Sequence, residues 1–587
     1  MDRVQRAERR TVFFCVLALI LLNLVVYGLW ITKLGVYEDD WKLVVMPSTS
    51  LERLLANWWS FLRIERPLDG LNLAILSITL RVAGLLAVRV ILLLPHLIAC
   101  IVLFFLLQRM VGNQPWLSFL GAALFAVYPT DTSHATWLTG FNYSMAMLFT
   151  VIALWAFVKS TQAVGRNRIG LVGISLECYL ISILLMEINT MIAPGFVVLW
   201  LAWIYFYQAP SERSLLQKVL SLARTSAPHL GVLTAYILWW TQLVPRYGDK
   251  IKNEMLDFSL GPMIWRLLRR LQVNFLFLEP IFVKARSVGW QEFMFPALLV
   301  FAGVLLVGLR TGRVGQGKLT PNPSRGQWVL YAGLGGLGMA LVVMAYLPWI
   351  VLVDWIYIPT IFGLVSRANY GASLGSAIMG VGILGALAGL IDRYRPRLGL
   401  IAATILAAGL ISFSTIFHYT NQKDFASSWQ HQKRLYTGIQ QQCPSLAPHT
   451  AVLIDGIGPV DWNKGNYVMT LWWLGNLGLR MLYSDPSLQA NQTFGSELSP
   501  PEFRPDGLYL FAFVTGERFL WYPYERLIIF HYDLGTTQVS KVNTHWVVRP
   551  DGKLLSVKSN WKNCLTRPVA DSAERRLALS LFGLTAE

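Results

Sequence analysis

Charge is what this sequence has least of. Only 14% of its 587 residues are charged, where a soluble domain carries about 25%, and acids are the scarcer sign, 33 Asp and Glu against 50 Lys and Arg. A chain so poor in charge cannot clothe itself in a polar surface, which excludes a soluble globular protein. Cysteine is scarce too, five in all, and no Cys/His spacing has the form of a zinc site. Internal repeats and low-complexity tracts are absent, which excludes solenoid and disordered architectures. A net charge of +17 invites a nucleic-acid reading until the charge is located. From Asn421 onward there are 16 Lys/Arg against 14 Asp/Glu, leaving +15 in the first 420 residues. The basicity belongs to the apolar part of the chain, and nucleic acid is not an expected partner.

What the chain has in abundance is apolar sequence: 55% of residues, with mean hydropathy +0.48. These residues gather into blocks of 17 to 23 with little charge between them, the length that crosses a bilayer. Eleven such spans are expected, near 12–32, 90–107, 113–129, 141–158, 171–186, 189–207, 228–244, 291–309, 327–349, 371–391 and 398–416. Cytoplasmic loops concentrate Lys and Arg. The N-terminus and alternate loops (Arg109; Lys159, Arg166, Arg168; Arg213, Lys218, Arg224; Arg310, Arg313, Lys318, Arg325; Arg393, Arg395, Arg397) hold 18 basic residues against four acids. The N-terminus is therefore expected in the cytoplasm of a plasma or inner membrane protein. An odd number of spans then places the tail outside. The first span has an apolar core too long for a cleaved signal peptide and no small-x-small site after it.

The expected fold class is an all-α polytopic membrane bundle of about 11 transmembrane helices, residues 1–420, followed by an extracytoplasmic mixed α/β domain, residues 421–587. Residues 33–89 read as an external loop, with Leu54, Leu55, Trp58 and Phe61 at helical spacing. Residues 246–290, where Arg266, Arg269 and Arg270 stand beside bulky apolar residues, read as a second interfacial segment, the alternative being a distorted pair of spans. The tail alternates short strand-like runs with turns. HWVVRPDGKLLSV reads as a hairpin closed by Pro550-Asp551-Gly552, and 568–583 as a helix. Cys15, Cys100 and Cys178 fall within spans, where a thiol is a small apolar packing group. Cys443 and Cys564 are the pair left in the exported domain, and an oxidising compartment favours a disulfide between them.

Ionisable groups near the hydrocarbon boundary are costly and are usually kept for function. Glu38-Asp39-Asp40-Trp41 follows the first span almost at once. It reads either as a solvated loop start or as a general base, Asp39 or Asp40, with a neighbouring acid that orients an acceptor or binds a divalent cation such as Mg or Mn, Asp40 being the metal candidate. Tyr128-Pro129-Thr130-Asp131-Thr132-Ser133-His134, followed by Trp137, closes the third span and reads as a site rim, with Asp131 and His134 in supporting roles. Glu187 sits between two nearly continuous spans, where a solvated loop scarcely exists. Arg66, Arg246 and Arg367 lie on the same face, against the charge bias, and a guanidinium fork there suits a phosphate.

With these residues in place, the chain resembles the GT-C superfamily of integral-membrane glycosyltransferases, nearest to its protein O-mannosyltransferase and aminoarabinose-transferase (family 39-like) branch. The resemblance is carried by the acid pair Asp39-Asp40 after span one, by ERPL and LLAVRVILLLPHLIACIVLFFLLQRMVG, by LFAVYPTDTSHATWLTGFNYSMAMLFTVIALW, by LLMEINTMIAPG and by SRANYGASLGSAIMG. It covers most of residues 1–420. Two positions depart from the pattern: Met186 replaces the Lys expected before Glu187, and Asn142 stands where relatives often keep Gly-Arg. The resemblance implies transfer of a hexosyl or pentosyl group from a polyprenyl-phosphate donor to an acceptor on the outer face. It leaves the acceptor unspecified, with membrane lipid as the surrounding partner. Two other classes compete, a transporter or lipid flippase and a non-catalytic assembly protein; paired broken spans with charge at mid-membrane would favour the former.

Overall fold

Long apolar stretches in lipid must satisfy their backbone internally, so they fold as helices. The computed structural model describes residues 3–37, 40–45, 66–131, 133–208, 214–242, 258–281, 290–315, 325–351, 360–361, 364–395, 398–457, 476–492, 502–504, 507–510, 520–548, 554–566, 569 and 571–584. Its helices in the apolar part are α1 (Arg3–Asn23), α2 (Trp41–Val45), α3 (Asp69–Met110), α4 (Pro115–Ala126), α5 (Phe141–Thr161), α6 (Gly165–Leu185), α7 (Ile192–Trp203), α8 (Leu215–Gln242), α9 (Leu260–Phe275), α10 (Met294–Gly315), α11 (Arg325–Ile350), α12 (Tyr370–Asp392) and α13 (Leu398–Gln442). Each of the eleven expected spans coincides with one of these. Eight helices among the described residues, α1, α3, α5, α6 and α10 to α13, are long and apolar enough to cross a membrane; α4 and α7 are shorter apolar helices. The protein is a multi-pass helical membrane protein.

Two boundaries differ from expectation. Helix α3 begins at Asp69 rather than near residue 90, so the last third of the expected loop 33–89 is helical. Its exposed residues Leu71, Ile75, Ile78, Val82 and Leu86 continue the outward stripe of Val90, Leu94 and Ile98, one face of a 3.6-residue period. Gly84 redirects the helix with φ +79 and ψ 178, a conformation open to glycine alone. Helix α13 runs unbroken to Gln442, so the domain boundary expected at 420/421 falls inside it. Past the apolar block the helix is sustained by a buried stripe, Phe425, Trp429, Gln432, Tyr436, Ile439 and then Cys443, spaced alternately four and three.

Packing in the bundle relies on small residues. A Cβ at Gly338 of α11 would lie 2.3 Å from the backbone nitrogen of Met379, and one at Gly382 of α12 would lie 2.6 Å from that of Gly335. These two helices touch backbone to backbone, as small-residue seams allow. The chain leaves α1 through a π-helical turn, Leu24–Gly28, whose freed carbonyls find partners on α13: Tyr419 donates to Val25 and Gln422 to Val26. In the segment 246–290, α9 turns Leu260, Ile264, Trp265 and Leu268 outward and buries Arg266, Arg270 and Asn274. That is the reverse of a helix in water and the arrangement of one lying at a lipid boundary. The helical spacing at Leu54–Phe61 lies outside the described residues.

The tail contains β1 (Ser445–Leu446), β2 (Ala451–Asp455), α14 (Asn476–Leu482), β3 (Gln489–Gln492), β4 (Glu502–Arg504), β5 (Gly507–Leu510), β6 (Leu520–Tyr522), β7 (Leu527–Asp533), β8 (Gln538–Val542), β9 (Thr544–Val548), β10 (Leu554–Lys558), β11 (Cys564–Leu565) and α15 (Ala573–Phe582). A four-stranded sheet runs β3-β2-β7-β8, with β2 parallel to both β3 and β7 and β8 antiparallel to β7. β4, β5 and β6 form a small antiparallel sheet. β9 and β10 pair as a hairpin with Ser556 opposite Trp546; its Pro550-Asp551-Gly552 turn lies outside the described residues. β1 pairs with β11 beside the bond between Cys443 and Cys564, whose Cα atoms are 5.3 Å apart.

That bond closes a loop of 121 residues, and a loop of such length confers about 2–5 kcal/mol on the tail. In unreduced, denatured protein, maleimide should label Cys15, Cys100 and Cys178 and leave Cys443 and Cys564 unlabelled. Labelling of five thiols without reductant would contradict the pairing.

Candidate functional site

The residues of interest gather around one turn, 131–143, between α4 and α5. Asp131 is its knot. One carboxylate oxygen accepts from the Ser133 backbone (2.9 Å), the Ser133 hydroxyl (2.6 Å) and the Ser366 hydroxyl (3.1 Å), and the other meets His134 Nδ1 at 3.0 Å. Burial works to raise the Asp131 carboxyl, but the bonds from His134 and Ser133 hold it below the usual carboxylate value. Asp131 and His134 are thus buried beneath the turn rather than exposed at a rim, because three donors and a ring nitrogen replace the water a rim would supply. His134 stacks on Tyr370, with ring centroids 4.9 Å apart. At Gly140 a Cβ would lie 2.9 Å from the Ser133 carbonyl oxygen, so the turn closes only over a residue without a side chain.

Asp40 reaches this turn from the segment that follows α1. One of its oxygens accepts from the Thr139 backbone at 2.9 Å and the other from the Tyr37 backbone at 3.1 Å, and its exposure is 0%. Arg89 of α3 completes the joint. Its guanidinium donates to the carbonyls of Thr136 (2.5 Å) and Gly35 and lies 5.7 Å from the centre of the Tyr37 ring. The Tyr37 hydroxyl accepts from the Gly35 backbone at 2.9 Å and donates to the Phe425 carbonyl at 2.8 Å. A carboxylate with both oxygens on backbone amides holds two segments together. Among the described residues no three His, Cys, Asp or Glu side chains converge as a ligand set. Glu38 and Asp39 lie outside the described residues, as does Arg246.

Arg367 approaches on the 3-10 segment Leu364–Asn369. Ser366 bonds Asp131, and Asn369 donates to the carbonyls of Thr130 (2.7 Å) and Thr360 (2.8 Å). Pinned on either side, Arg367 lies over the Trp137 ring, 4.6 Å from its centre, and 5.9 Å from that of Tyr143. Asp40 and Arg367 therefore flank the same few residues, 137–139. Glu187, on a 3-10 turn between α6 and α7, takes Arg66 in a two-point pair, Nε to Oε2 at 2.8 Å and Nη2 to Oε1 at 2.5 Å. The fork of Arg66, expected to meet phosphate, meets a carboxylate instead. Asn142 donates to Asp69 and accepts from Asn72 at 2.6 Å, so the departure at 142 has a partner in the first turn of α3.

Arg89, Asp69 and Asn72 were not singled out from the sequence. A signal for Arg89 existed: an arginine within the apolar run ILSITLRVAGLLAVRVILLL is costly in lipid and demands acceptors. Asp69 and Asn72 carried none, because they read as loop until α3 is known to start there.

Burial raises the Asp40 carboxyl from its ordinary 3.8 to about 7, against the lowering pull of Arg89 and of the amides of Thr139, Leu138 and Tyr37. The folded protein then holds this proton more tightly than the unfolded chain does. Stability from this group is complete below about pH 4, is lost as pH rises towards 7, and is level above that. In thermal unfolding of the purified protein, wild type should lose more stability than Asp40→Asn between pH 5 and pH 8, the full span being worth on the order of 4 kcal/mol at 1.36 kcal/mol per pH unit. Arg89→Met should carry the loss to higher pH. Parallel pH dependence in wild type and Asp40→Asn would rule this out.

Crystal structures of ArnT from Cupriavidus metallidurans match this chain over 77% of its length and 84% of theirs. The one bound to undecaprenyl phosphate has a TM-score of 0.32 at 14% identity, and the apo form 0.33 at 15%. No family model and no curated protein matches the chain. In solved structures the chain is similar to ArnT.

Proposed function

We propose that this protein is a membrane glycosyltransferase that moves a sugar from a polyprenyl-phosphate donor to an acceptor hydroxyl on the extracytoplasmic side, with its N-terminus in the cytoplasm. The observation that carries this reading is that the acidic loop, through Asp40, and Arg367 both contact residues 137–139. Transfer is a displacement at the anomeric carbon. The acceptor oxygen loses its proton to a carboxylate and forms the new bond, while the bond from the anomeric carbon to the phosphate oxygen breaks and the polyprenyl phosphate departs with the electron pair. The reaction needs a base on one side and a cation on the other.

Asp39 is the base in this reading. Its neighbour Asp40 is spent on holding backbone, which frees Asp39 for chemistry and fixes the loop from which it acts. Arg367 meets the departing phosphate. The rings of Trp137 and Tyr143 hold its guanidinium plane by cation–π contact, so little freedom is lost when phosphate binds. The Arg66–Glu187 pair, each partner about a quarter exposed, presents a carboxylate and a guanidinium edge to sugar hydroxyls.

The test is transfer by purified protein from a radiolabelled polyprenyl-phosphate sugar, with rate and donor affinity followed separately. Asp39→Asn should lower kcat about 10²–10⁴-fold with donor binding and melting temperature retained. Arg367→Ala should weaken donor binding as well as slow transfer. Wild-type turnover in Asp39→Asn would remove the base, and with it this mechanism.

A further inference from the structure

The tail beyond α13 has no part in the chemistry above, yet one of its side chains reaches the acidic loop. We propose that Phe582, the last residue of α15, is a positioning residue that locks Trp41 and thereby sets where the loop through Asp40 lies over residues 137–139. The functional half of this inference rests on the glycosyltransferase reading.

Trp41 follows Asp40 directly in the chain and is 1% exposed. Its indole does not sit among membrane helices alone. The Phe582 ring lies 5.7 Å from it and the Tyr436 ring 6.2 Å, and a Cβ at Gly478 would come within 3.2 Å of it. Phe582 is itself 4% exposed and touches two further rings, Tyr436 at 4.6 Å and Trp429 at 5.9 Å. Trp429 in turn faces Gly35, where a Cβ would overlap its indole. Both ends of the acidic loop thus rest on one aromatic cluster, and the ring that touches the other three belongs to the C-terminal helix.

That helix is built to present its last residue. The Ser572 hydroxyl caps its first turn by accepting from the Arg575 backbone, and the same oxygen meets Ser484 Oγ at 2.9 Å, anchoring the start of α15 beside α14. Gly583, at φ +72, ends the helix immediately after Phe582, the left-handed C-cap that glycine adopts without strain. Removing the ring would leave a space beside Trp41. The indole would then sample other positions, and the loop attached to it would follow. A shift of about 1 Å in a catalytic group costs about 10²-fold in rate.

The experiment uses the full-length protein in nanodiscs. For Phe582→Ala, kcat should fall about 10- to 100-fold with the donor KM within threefold of wild type, and amide hydrogen exchange of residues 34–45 should quicken at least tenfold. Phe582→Leu, which refills most of the space, should restore both to within about fivefold, and it also serves should Phe582→Ala fail to fold. Arg576→Ala, on the exposed side of the same helix, should change neither. Unchanged exchange at 34–45 in Phe582→Ala overturns the lock, and quickened exchange with an unaltered kcat overturns its bearing on the reaction. If wild-type protein transfers no sugar, the glycosyltransferase reading fails by itself, and the exchange data still decide whether Phe582 holds the loop.

Discussion

A guanidinium with no water to retreat to organises this protein. Arg89 has 0% exposure within a membrane-spanning helix, where a charge persists only if the protein supplies its hydration. Carbonyls of two segments distant in sequence do so, Gly35 before the acidic loop and Thr136 within the 131–143 turn. Because both must come to the same guanidinium, the loop and the turn are brought together. Asp40 adds a second bridge through the Thr139 backbone. Hydrogen bonds to a charged donor are worth about 1.5–3 kcal/mol each, enough to hold two irregular segments that have no ladder of their own.

The same economy of polar groups recurs around the turn. Asp131 gathers Ser133, His134 and Ser366; Asn369 ties Thr130 to Thr360; Asn142 joins Asp69 and Asn72; Glu187 holds Arg66. Each is a buried or half-buried polar group with at least one partner far away in the chain, as a medium of low polarity requires. Polar networks of this kind fix geometry because their alternatives are unsatisfied groups. Arg367 profits from this, because its neighbours Ser366 and Asn369 are held in the knot.

The division of labour between Asp39 and Asp40 illustrates how much lies in one step of register. From the sequence the two acids were equivalent candidates, and a cation at Asp40 was as reasonable as a base. Both Asp40 oxygens are engaged by backbone amides, so that residue joins two segments of the chain. Nothing in composition or spacing distinguishes a carboxylate that holds backbone from one that takes protons.

Hydropathy alone determined that the chain is a multi-pass helical membrane protein with a mixed α/β tail, because apolar blocks of spanning length have one stable form in lipid and period-two runs another. Only the tertiary structure decided where α3 begins and how far α13 runs, since amphipathic helix beyond a membrane boundary looks like polar loop to a hydropathy reading. It likewise decided that Arg66 faces Glu187, that Asp131 is a buried knot, and that Phe582 reaches the acidic loop. These are pairings between residues more than a hundred positions apart, or between a charge and backbone carbonyls, and such partners are chosen by how helices pack and not by any local property of the chain.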